Sequence, residues 1–240
     1  MNHGLGCWLA CPDIVFIELA RDVGFGTLVM DAEHGTFSLA DLDKLIPFAT
    51  SIGMRVLVKV EGPNAEPIQQ ALDFGADGVI IPHILGAEHA RLVCAASKYP
   101  TLGTRSSAGA RPVRYATPRD TYFDDDNRRT ACYPMVESKE AFAAIDDILA
   151  LPTVDGVFVG TSDLSLSSGR GRYRFDDADR AAIERISQSA KRAGKPWLMP
   201  AWRSDEQAYV KGLEPAVTVV IEQQGAMRAG LMQAYSAVSP

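Results

Sequence analysis

The chain has 240 residues, of which 47% are hydrophobic and 22% are charged, and its formal net charge is −6. A chain of this length and composition buries a large core without the help of disulfides or structural metal ions. It fits one α/β domain over 1–240 better than two small ones. The negative charge argues against nucleic acid as the main partner, because phosphate binding requires a basic surface.

The cysteines and the first residues indicate the cellular compartment. None of the four cysteines forms a CxxC pair, which is typical of reduced thiols in a cytoplasmic protein. The opening MNHGLGCWLA lacks the basic and apolar regions of a signal peptide, and charged residues interrupt every apolar stretch before it reaches membrane-spanning length. We therefore expect a soluble cytoplasmic protein with no membrane partner.

Short apolar runs recur along the chain, and most of them are continuously hydrophobic rather than alternating. Such runs are typical of parallel strands that are buried on both faces. The predicted strands are 7–10, 27–31, 55–60, 78–82, 131–137, 156–160, 196–200 and 216–221.

Helical patterns fill the gaps between these strands. The first begins at Asp13 and ends at Gly24, and the second has Ser38 as its N-cap and Gly53 as its stop. One helical pattern, SKEAFAAIDDILAL, follows the fifth strand. Eight β/α units in strict order predict an α/β fold of the closed (β/α)8 or TIM-barrel type rather than an open doubly wound sheet.

Two polar segments interrupt this rhythm. Residues 101–130 form a long connection before the fifth strand, and its aspartates at 124–126 indicate a solvated loop or a helix start. Residues 165–177 follow the sixth strand, and their arginines indicate a solvated loop or a contact with an anionic substrate. Long connections within a domain are usually functional or disordered.

Polar side chains follow several of the predicted strands. In a (β/α)8 barrel the active site lies at the C-terminal ends of the strands, so these side chains are the candidates for function. They are Asp31, Glu33, His34, Lys59, His83, Glu137, Thr161, Ser162 and Asp163. The sequence thus places carboxylates, a cationic side chain and histidine on one rim.

Glu137 and Asp163 follow neighbouring strands. Two adjacent carboxylates repel each other unless a proton or a cation lies between them. Carboxylate oxygens with open coordination positions suit Mg²⁺ or Mn²⁺, and Co²⁺ is a further candidate. The alternative is that Glu137 caps the following helix and that Asp163 begins another one.

Three further features on the rim suggest acid–base and anion chemistry. His34 is a candidate general base because Asp31 and Glu33 flank it, and a carboxylate raises the basicity of an imidazole. Lys59 is a candidate to stabilise an enolate oxygen, with a structural salt bridge and a Schiff base as alternatives. Backbone amides at 160–162 lie at a strand-to-helix turn, where they suit a substrate carboxylate.

Five sequence segments also resemble a known family. They are MDAEHG at 30–35, ALDFGADGVIIP at 71–82, KYPTLGTRS at 98–106, VESKEA at 136–141 and DGVFVGTSDLS at 155–165. Together they resemble the HpcH/HpaI aldolases, which are metal-dependent class II pyruvate aldolases. The segments occur in the family's order and extend over most of the chain.

The resemblance implies roles for particular residues. Glu137 and Asp163 correspond to the family's metal ligands, and His34, oriented by Asp31, corresponds to its base. Main-chain amides around Ser162 correspond to those that hold the pyruvate carboxylate. The resemblance also implies a homo-oligomer, a trimer or a hexamer, in which the C-terminal helix packs on a neighbouring subunit.

Two positions depart from the family pattern. Lys59 stands where the family usually has arginine, and Met135 stands where it usually has glutamine. Lysine keeps the charge of arginine but loses its bidentate fork, and methionine removes a hydrogen-bonding group beside the metal. Both residues correspond to the donor-binding pocket, so the preferred donor stays open.

These observations predict a divalent-metal-dependent aldolase, a carbon–carbon lyase. Its substrates would be pyruvate or a related 2-oxo acid and an aldehyde, joined into or released from a 4-hydroxy-2-oxo acid. A related lyase on the same metal, acting as a 2-oxo acid decarboxylase or on a CoA thioester, is one alternative. The others are a Schiff-base aldolase that uses Lys59 and a barrel that binds 2-oxo acids without turning them over.

Overall fold

In the computed structural model, which describes residues 1–109 and 111–238, eight strands pair in chain order and close into a barrel. All neighbouring strands are parallel, so the predicted (β/α)8 fold is confirmed. The strands are β1 Asn2–Leu9, β2 Phe25–Asp31, β3 Arg55–Lys59, β4 Gly78–Ile81, β5 Ala131–Val136, β6 Val157–Val159, β7 Trp197–Pro200 and β8 Val217–Glu222.

Helices surround the barrel, and most of them connect consecutive strands. They are α1 Ile14–Val23, α2 Leu39–Ser51, α3 Ala65–Asp73, α4 Ala87–Cys94, α5 Tyr122–Arg129, α6 Lys139–Ala143, α7 Ile145–Ala150, α8 Thr161–Ser167, α9 Asp177–Ala193, α10 Ser204–Lys211 and α11 Gln223–Ser236. The predicted caps of the first two helices are present, since Gly24 ends α1 in a left-handed conformation and Ser38 forms a capping box with Asp41.

Two hydrophobic clusters hold the barrel together. The larger one lies between the strands and the surrounding helices, and the smaller one fills the interior of the barrel. Alternate residues of β5 belong to the interior cluster, namely Ala131, Tyr133 and Met135. Because side chains alternate across a strand, the next inward position after Met135 is Glu137, which therefore stands at the barrel mouth.

The boundaries of some elements differ from the prediction. β1 begins at Asn2, earlier than predicted, because its polar start pairs with β2 and the Thr27 hydroxyl donates to the carbonyl oxygen of His3. The single helix predicted after β5 is two helices, α6 and α7, which meet at the non-helical residue Ala144. The polar segment at 165–177 begins inside α8.

The long connection at 101–130 leads into the start of β5, and its last helix, α5, lies at the end of the barrel opposite the rim, where Arg129 is 3.9 Å from Asp77. The connection contains a 3-10 turn, Arg111–Val113, and the helix α5. The predicted helix start at 124–126 is confirmed, but Asp126 is buried rather than solvated. Its Oδ2 accepts from Nη1 of the fully buried Arg105 at 2.9 Å, which compensates both charges.

Two features at the surface bear on partners of the protein. Across residues 1–109 and 111–238, no helix combines the length and apolarity that crossing a lipid bilayer requires. The C-terminal helix α11 presents exposed apolar side chains, including Met227, Leu231, Met232 and Tyr235. Its packing on a neighbouring subunit stays a prediction.

Candidate active site

Asp31 organises the turn that follows β2. Its Oδ1 accepts the backbone N–H groups of Glu33 at 3.1 Å and of His34 at 3.0 Å, and its Oδ2 accepts from Nε1 of Trp8 at 3.1 Å. The turn also requires glycine at position 35, where an added Cβ would lie 2.1 Å from the Asp31 carbonyl oxygen. Local backbone geometry therefore fixes the direction in which the Glu33 side chain leaves the strand.

Lys59 ends β3 directly beside Asp31, its register partner in β2. Its Nζ forms an ion pair with Oε2 of Glu33 and lies 3.7 Å from Oδ1 of Asp31. Burial raises the pKa of Glu33, but the hydrogen bond and charge of Lys59, helped by two histidines, outweigh it and leave that pKa below its ordinary value. Lys59, the predicted cationic side chain, thus lies on the rim and is paired with the carboxylates of Glu33 and Asp31.

His83 connects Glu33 with Glu137 across the mouth of the barrel. Its backbone N–H donates to Oε1 of Glu137 at 2.5 Å, and its Nε2 lies 2.6 Å from Oε1 of Glu33. The residue has a left-handed backbone with φ 59°, which costs a non-glycine residue about 1–3 kcal/mol. This conformation is what turns the His83 amide towards the Glu137 carboxylate.

Glu137 is only 6% exposed, and it stands at the barrel mouth beside His83 and Asp163. Burial raises the pKa of its carboxyl group, and the charge of Asp163 raises it further, while the His83 amide and the nearby cations oppose the shift. Gly160 leaves the space that this side chain occupies, because a Cβ there would lie 2.6 Å from Cβ of Glu137. Substitution of Gly160 would therefore displace the carboxylate.

The start of α8 lies beside Glu137. Gly160 is the residue before the helix, Thr161 is its buried first residue, and Asp163 is in its first turn. Amide groups in the first turn of a helix have no partner along the helix, and they attract negative charge. The alternative that Asp163 simply begins a helix describes its position correctly, whereas the N-cap of α6 is Ser138 and not Glu137.

The donor set at the rim is suited to a hard divalent cation. The carboxylates of Asp31, Glu33, Glu137 and Asp163 share this region with the ammonium group of Lys59. Within the described ranges 1–109 and 111–238, no three His, Cys, Asp or Glu side chains converge as a metal-binding group. Glu137 and Asp163 are the two carboxylates that could hold such a cation, and a site with two protein ligands keeps positions for water and substrate oxygens, as Mg²⁺ sites commonly do.

The structure places the remaining predicted residues in different environments. The side chain of His34 is 69% exposed, and its Nε2 lies 3.5 Å from Oε1 of Glu33. Asp31 contacts the backbone of His34, so any effect of Asp31 on the imidazole ring acts through the turn. Met135 is buried directly beneath Glu137, where its Cε lies 3.0 Å from the position of a Cβ on Gly160.

Two residues of the rim had no predicted role of their own. Glu33 was predicted on the rim as a neighbour of His34, and in the structure it also contacts Lys59 and His83. Trp8 belongs to the first predicted strand, where its indole was interpreted as part of an apolar run. The alternation of side chains along β1 was the signal in the sequence, because it turns Trp8 towards the interior of the barrel at its mouth.

The fold and the rim together define a class of protein. A closed (β/α)8 barrel whose strand ends carry buried, paired carboxylates and a lysine has the arrangement of a barrel enzyme, because the βα ends form the active site of that fold.

Comparison with known proteins gives the family. The HpcH/HpaI aldolase/citrate lyase model matches residues 5–216. The 2-keto-3-deoxy-L-rhamnonate aldolases of Salmonella schwarzengrund and Salmonella typhimurium are 35% identical to the chain over 204 residues, which cover 82% of this chain and 76% of theirs. The chain belongs to the HpcH/HpaI aldolase/citrate lyase family, and it is an enzyme of the lyase type.

Solved structures show the same fold. An HpcH/HpaI aldolase from Desulfitobacterium hafniense superposes with a TM-score of 0.91 at 21% identity, covering 99% of this chain and 93% of that one. The citrate synthase SbnG superposes with a TM-score of 0.87 at 24% identity, covering 98% and 93%. Macrophomate synthase superposes with a TM-score of 0.83 at 22% identity, covering 98% and 85%.

Proposed function

We propose that the protein is a divalent-metal-dependent aldolase that joins a 2-oxo acid, pyruvate or a close analogue, to an aldehyde and cleaves the resulting 4-hydroxy-2-oxo acid. The observation that carries this proposal is the buried carboxylate of Glu137 beside Asp163 at the mouth of the barrel. The relatives named as aldolases of a 2-keto-3-deoxy acid support the same substrate class.

Glu137 and Asp163 are the residues that would hold the metal. A bound Mg²⁺ or Mn²⁺, with Co²⁺ as a further candidate, supplies Lewis-acid polarisation of the 2-oxo acid, which lowers the cost of forming its enolate. Burial and the hydrogen bond from the His83 amide to Oε1 fix the position of the Glu137 carboxylate. Its other oxygen, Oε2, is the atom that would bind the metal. The chain thereby orients one ligand in advance.

The neighbouring residues have distinct roles in this proposal. His34 takes the proton from the methyl carbon of the donor and gives it to the oxygen of the aldehyde as the carbon–carbon bond forms, and cleavage moves the proton back; its imidazole is exposed to a bound substrate and has Glu33 beside it. Lys59 stabilises the negative oxygen of the enolate with a charge that Glu33 and Asp31 hold in place. Backbone amides of Gly160, Thr161 and Ser162 hold the substrate carboxylate.

The alternatives have less support from the contacts. A Schiff-base mechanism requires a free amine, whereas Nζ of Lys59 is paired with Glu33 and Asp31. A CoA thioester requires cationic groups for its phosphates, whereas Arg170, in the polar segment after β6, is engaged with Asp179 at 3.1 Å.

Exchange of deuterium into the methyl group of pyruvate tests the donor half of this proposal, because it requires no aldehyde. We expect exchange in the presence of Mg²⁺ or Mn²⁺, loss of exchange with EDTA, and recovery when metal is restored. Nuclear magnetic resonance of the methyl signal measures the rate. Borohydride added with pyruvate serves as the control for a Schiff base, and inactivation through Lys59 together with metal-independent exchange would contradict the proposal.

We further propose that the protein is a homo-oligomer, a trimer or a hexamer, in which α11 packs on a neighbouring subunit. The exposed apolar side chains of Met227, Leu231 and Tyr235 support this assembly, because a contiguous apolar helix face is unfavourable in water. Light scattering on the purified protein measures the mass directly, and a monomer at micromolar concentration would count against it.

A further inference from the structure

A cavity of about 570 Å³ opens at the barrel mouth beside β1 and β8. Its lining residues are Trp8, Trp202, Val220, Ile221, Glu222 and Gly225. We propose that this cavity binds the acceptor aldehyde, and that the acceptor has an uncharged aromatic or apolar body. The inference deepens the proposed aldolase function and rests on it.

Trp8 connects the cavity to the proposed reaction centre. On one side its Nε1 donates to Oδ2 of Asp31 at 3.1 Å, and Nζ of Lys59 lies 5.9 Å from the ring. On the other side its ring meets that of Trp202 edge-on, at 6.4 Å between centroids and 87° between planes. A molecule in the cavity is therefore separated from the enolate site by a single indole.

Trp202 is exposed but held in position. The residue is 46% exposed, yet its backbone N–H donates at 3.0 Å to Oε2 of Glu206, which is itself 1% exposed. The other carboxylate oxygen of Glu206 accepts from the hydroxyl of Tyr173, which comes from the polar segment after β6. A buried carboxylate thus fixes the backbone of Trp202, so a ligand that stacks on the indole loses less free energy to ordering this loop.

The chemistry of the lining selects against anions. The two indoles and the side chains of Val220 and Ile221 are apolar surfaces, and none of the lining residues is basic. The one ionisable group, Glu222, accepts the amide of Gly225 at 2.5 Å and repels negative charge. Arg203, the neighbour of Trp202, is engaged by Asp205. A phosphate or carboxylate on the acceptor would find no counter-charge here.

The lining favours flat or aliphatic aldehydes for the same reason. A ring that stacks on an aromatic side chain is held more tightly than its buried area alone would give. The volume lies within the range of about 300–1,000 Å³ that is usual for small-molecule sites. In this proposal the aldehyde stacks its ring on Trp202, and its carbonyl group extends past the edge of the Trp8 indole towards the donor.

The test compares benzaldehyde with 4-carboxybenzaldehyde, which differs from it by one charge. With pyruvate as donor, we expect kcat/KM to be about tenfold higher for benzaldehyde, and we expect Trp202→Ala to remove about that factor. Trp202→Arg should reverse the preference, because it places a cation in the cavity. Deuterium exchange into pyruvate, measured on each protein, is the reference rate. Leu92→Ala, an exposed apolar position on α4, is the matched control and should keep the wild-type preference.

The outcomes separate this inference from the proposed function. Absence of pyruvate exchange in the wild-type protein would overturn the aldolase function itself. Normal exchange with equal use of the two aldehydes by the wild type and both Trp202 variants would overturn only the acceptor site. Benzyl alcohol, which cannot react, should quench tryptophan fluorescence saturably in the wild type but not in Trp202→Ala. A change of oligomeric mass in Trp202→Ala would identify a subunit contact instead and would also overturn it.

Discussion

Glu137→Gln is expected to lower kcat/KM for aldol cleavage by roughly 10³-fold, which corresponds to about 4 kcal/mol of transition-state stabilisation. Glutamine keeps the size of the side chain and still accepts the His83 amide, but it removes the negative charge that would bind the metal. Affinity for Mn²⁺, measured by calorimetry, should fall by roughly 100-fold or more. Turnover and metal affinity should therefore decline together.

Stability separates this effect from a structural one. Burial and Asp163 raise the pKa of Glu137, so the charged form is unfavourable in the metal-free protein. In the presence of a chelator, Glu137→Gln should unfold in urea at the same or a higher concentration than the wild type at neutral pH. Glu140→Gln, an exposed carboxylate on α6, is the control and should leave turnover unchanged. Full activity in Glu137→Gln would refute the assignment of Glu137 as a ligand.

The barrel was predictable because its strands are buried on both faces. A continuous apolar run such as 131–137 is recognisable because both faces of a parallel strand are buried, and β5 at Ala131–Val136 matches that run closely. The break between α6 and α7 was not predictable, because SKEAFAAIDDILAL carries no glycine or proline that would end a helix. There, tertiary packing decides the backbone conformation of Ala144.

The rim was predictable for a related reason. Asp31 and Lys59 end buried strands and Glu137 directly follows one, and parallel strands bring their C-terminal ends to one edge. Their pairing was not predictable from spacing. Glu33 reaches Lys59 because the Asp31 turn and the close approach at Gly35 aim it inward, and His83 reaches Glu137 through a left-handed backbone.

The contact between Trp8 and Trp202 lies beyond sequence reasoning altogether. The two residues are far apart in the chain, and only closure of the barrel between β1 and β8 brings their rings together. The buried carboxylate of Glu206, which fixes Trp202, also gave no signal, because a glutamate near the start of a helix is normally a solvated group. The acceptor preference that we propose therefore rests on the part of the site that is hardest to predict from sequence.

Lys59→Met is expected to lower the free energy of unfolding by about 3–5 kcal/mol at neutral pH, because it leaves the Glu33 and Asp31 side chains buried without their cation. Aldol turnover should fall by roughly 10²–10³-fold, the usual effect of removing a group that stabilises an oxyanion. Urea unfolding with a chelator present, and pyruvate exchange with metal present, measure the two effects. Lys59→Arg keeps the charge and should retain most of the stability.

The loss of stability in Lys59→Met should depend on pH. In the wild type, the pKa of Glu33 lies below its ordinary value of 4.5, so Glu33 contributes stability that is complete above pH 4.5 and is lost as the pH falls through its folded-state pKa. In Lys59→Met, burial remains while the hydrogen bond and charge of Lys59 are gone, so the pKa of Glu33 rises above the ordinary value. Its contribution then becomes unfavourable at neutral pH and is relieved on acidification.

The difference in unfolding free energy between the two proteins should therefore be largest near neutral pH and shrink below pH 4.5. A difference that stays constant with pH would show that Lys59 acts by packing alone. It would contradict the proposal that Lys59 supplies the positive charge of the active site.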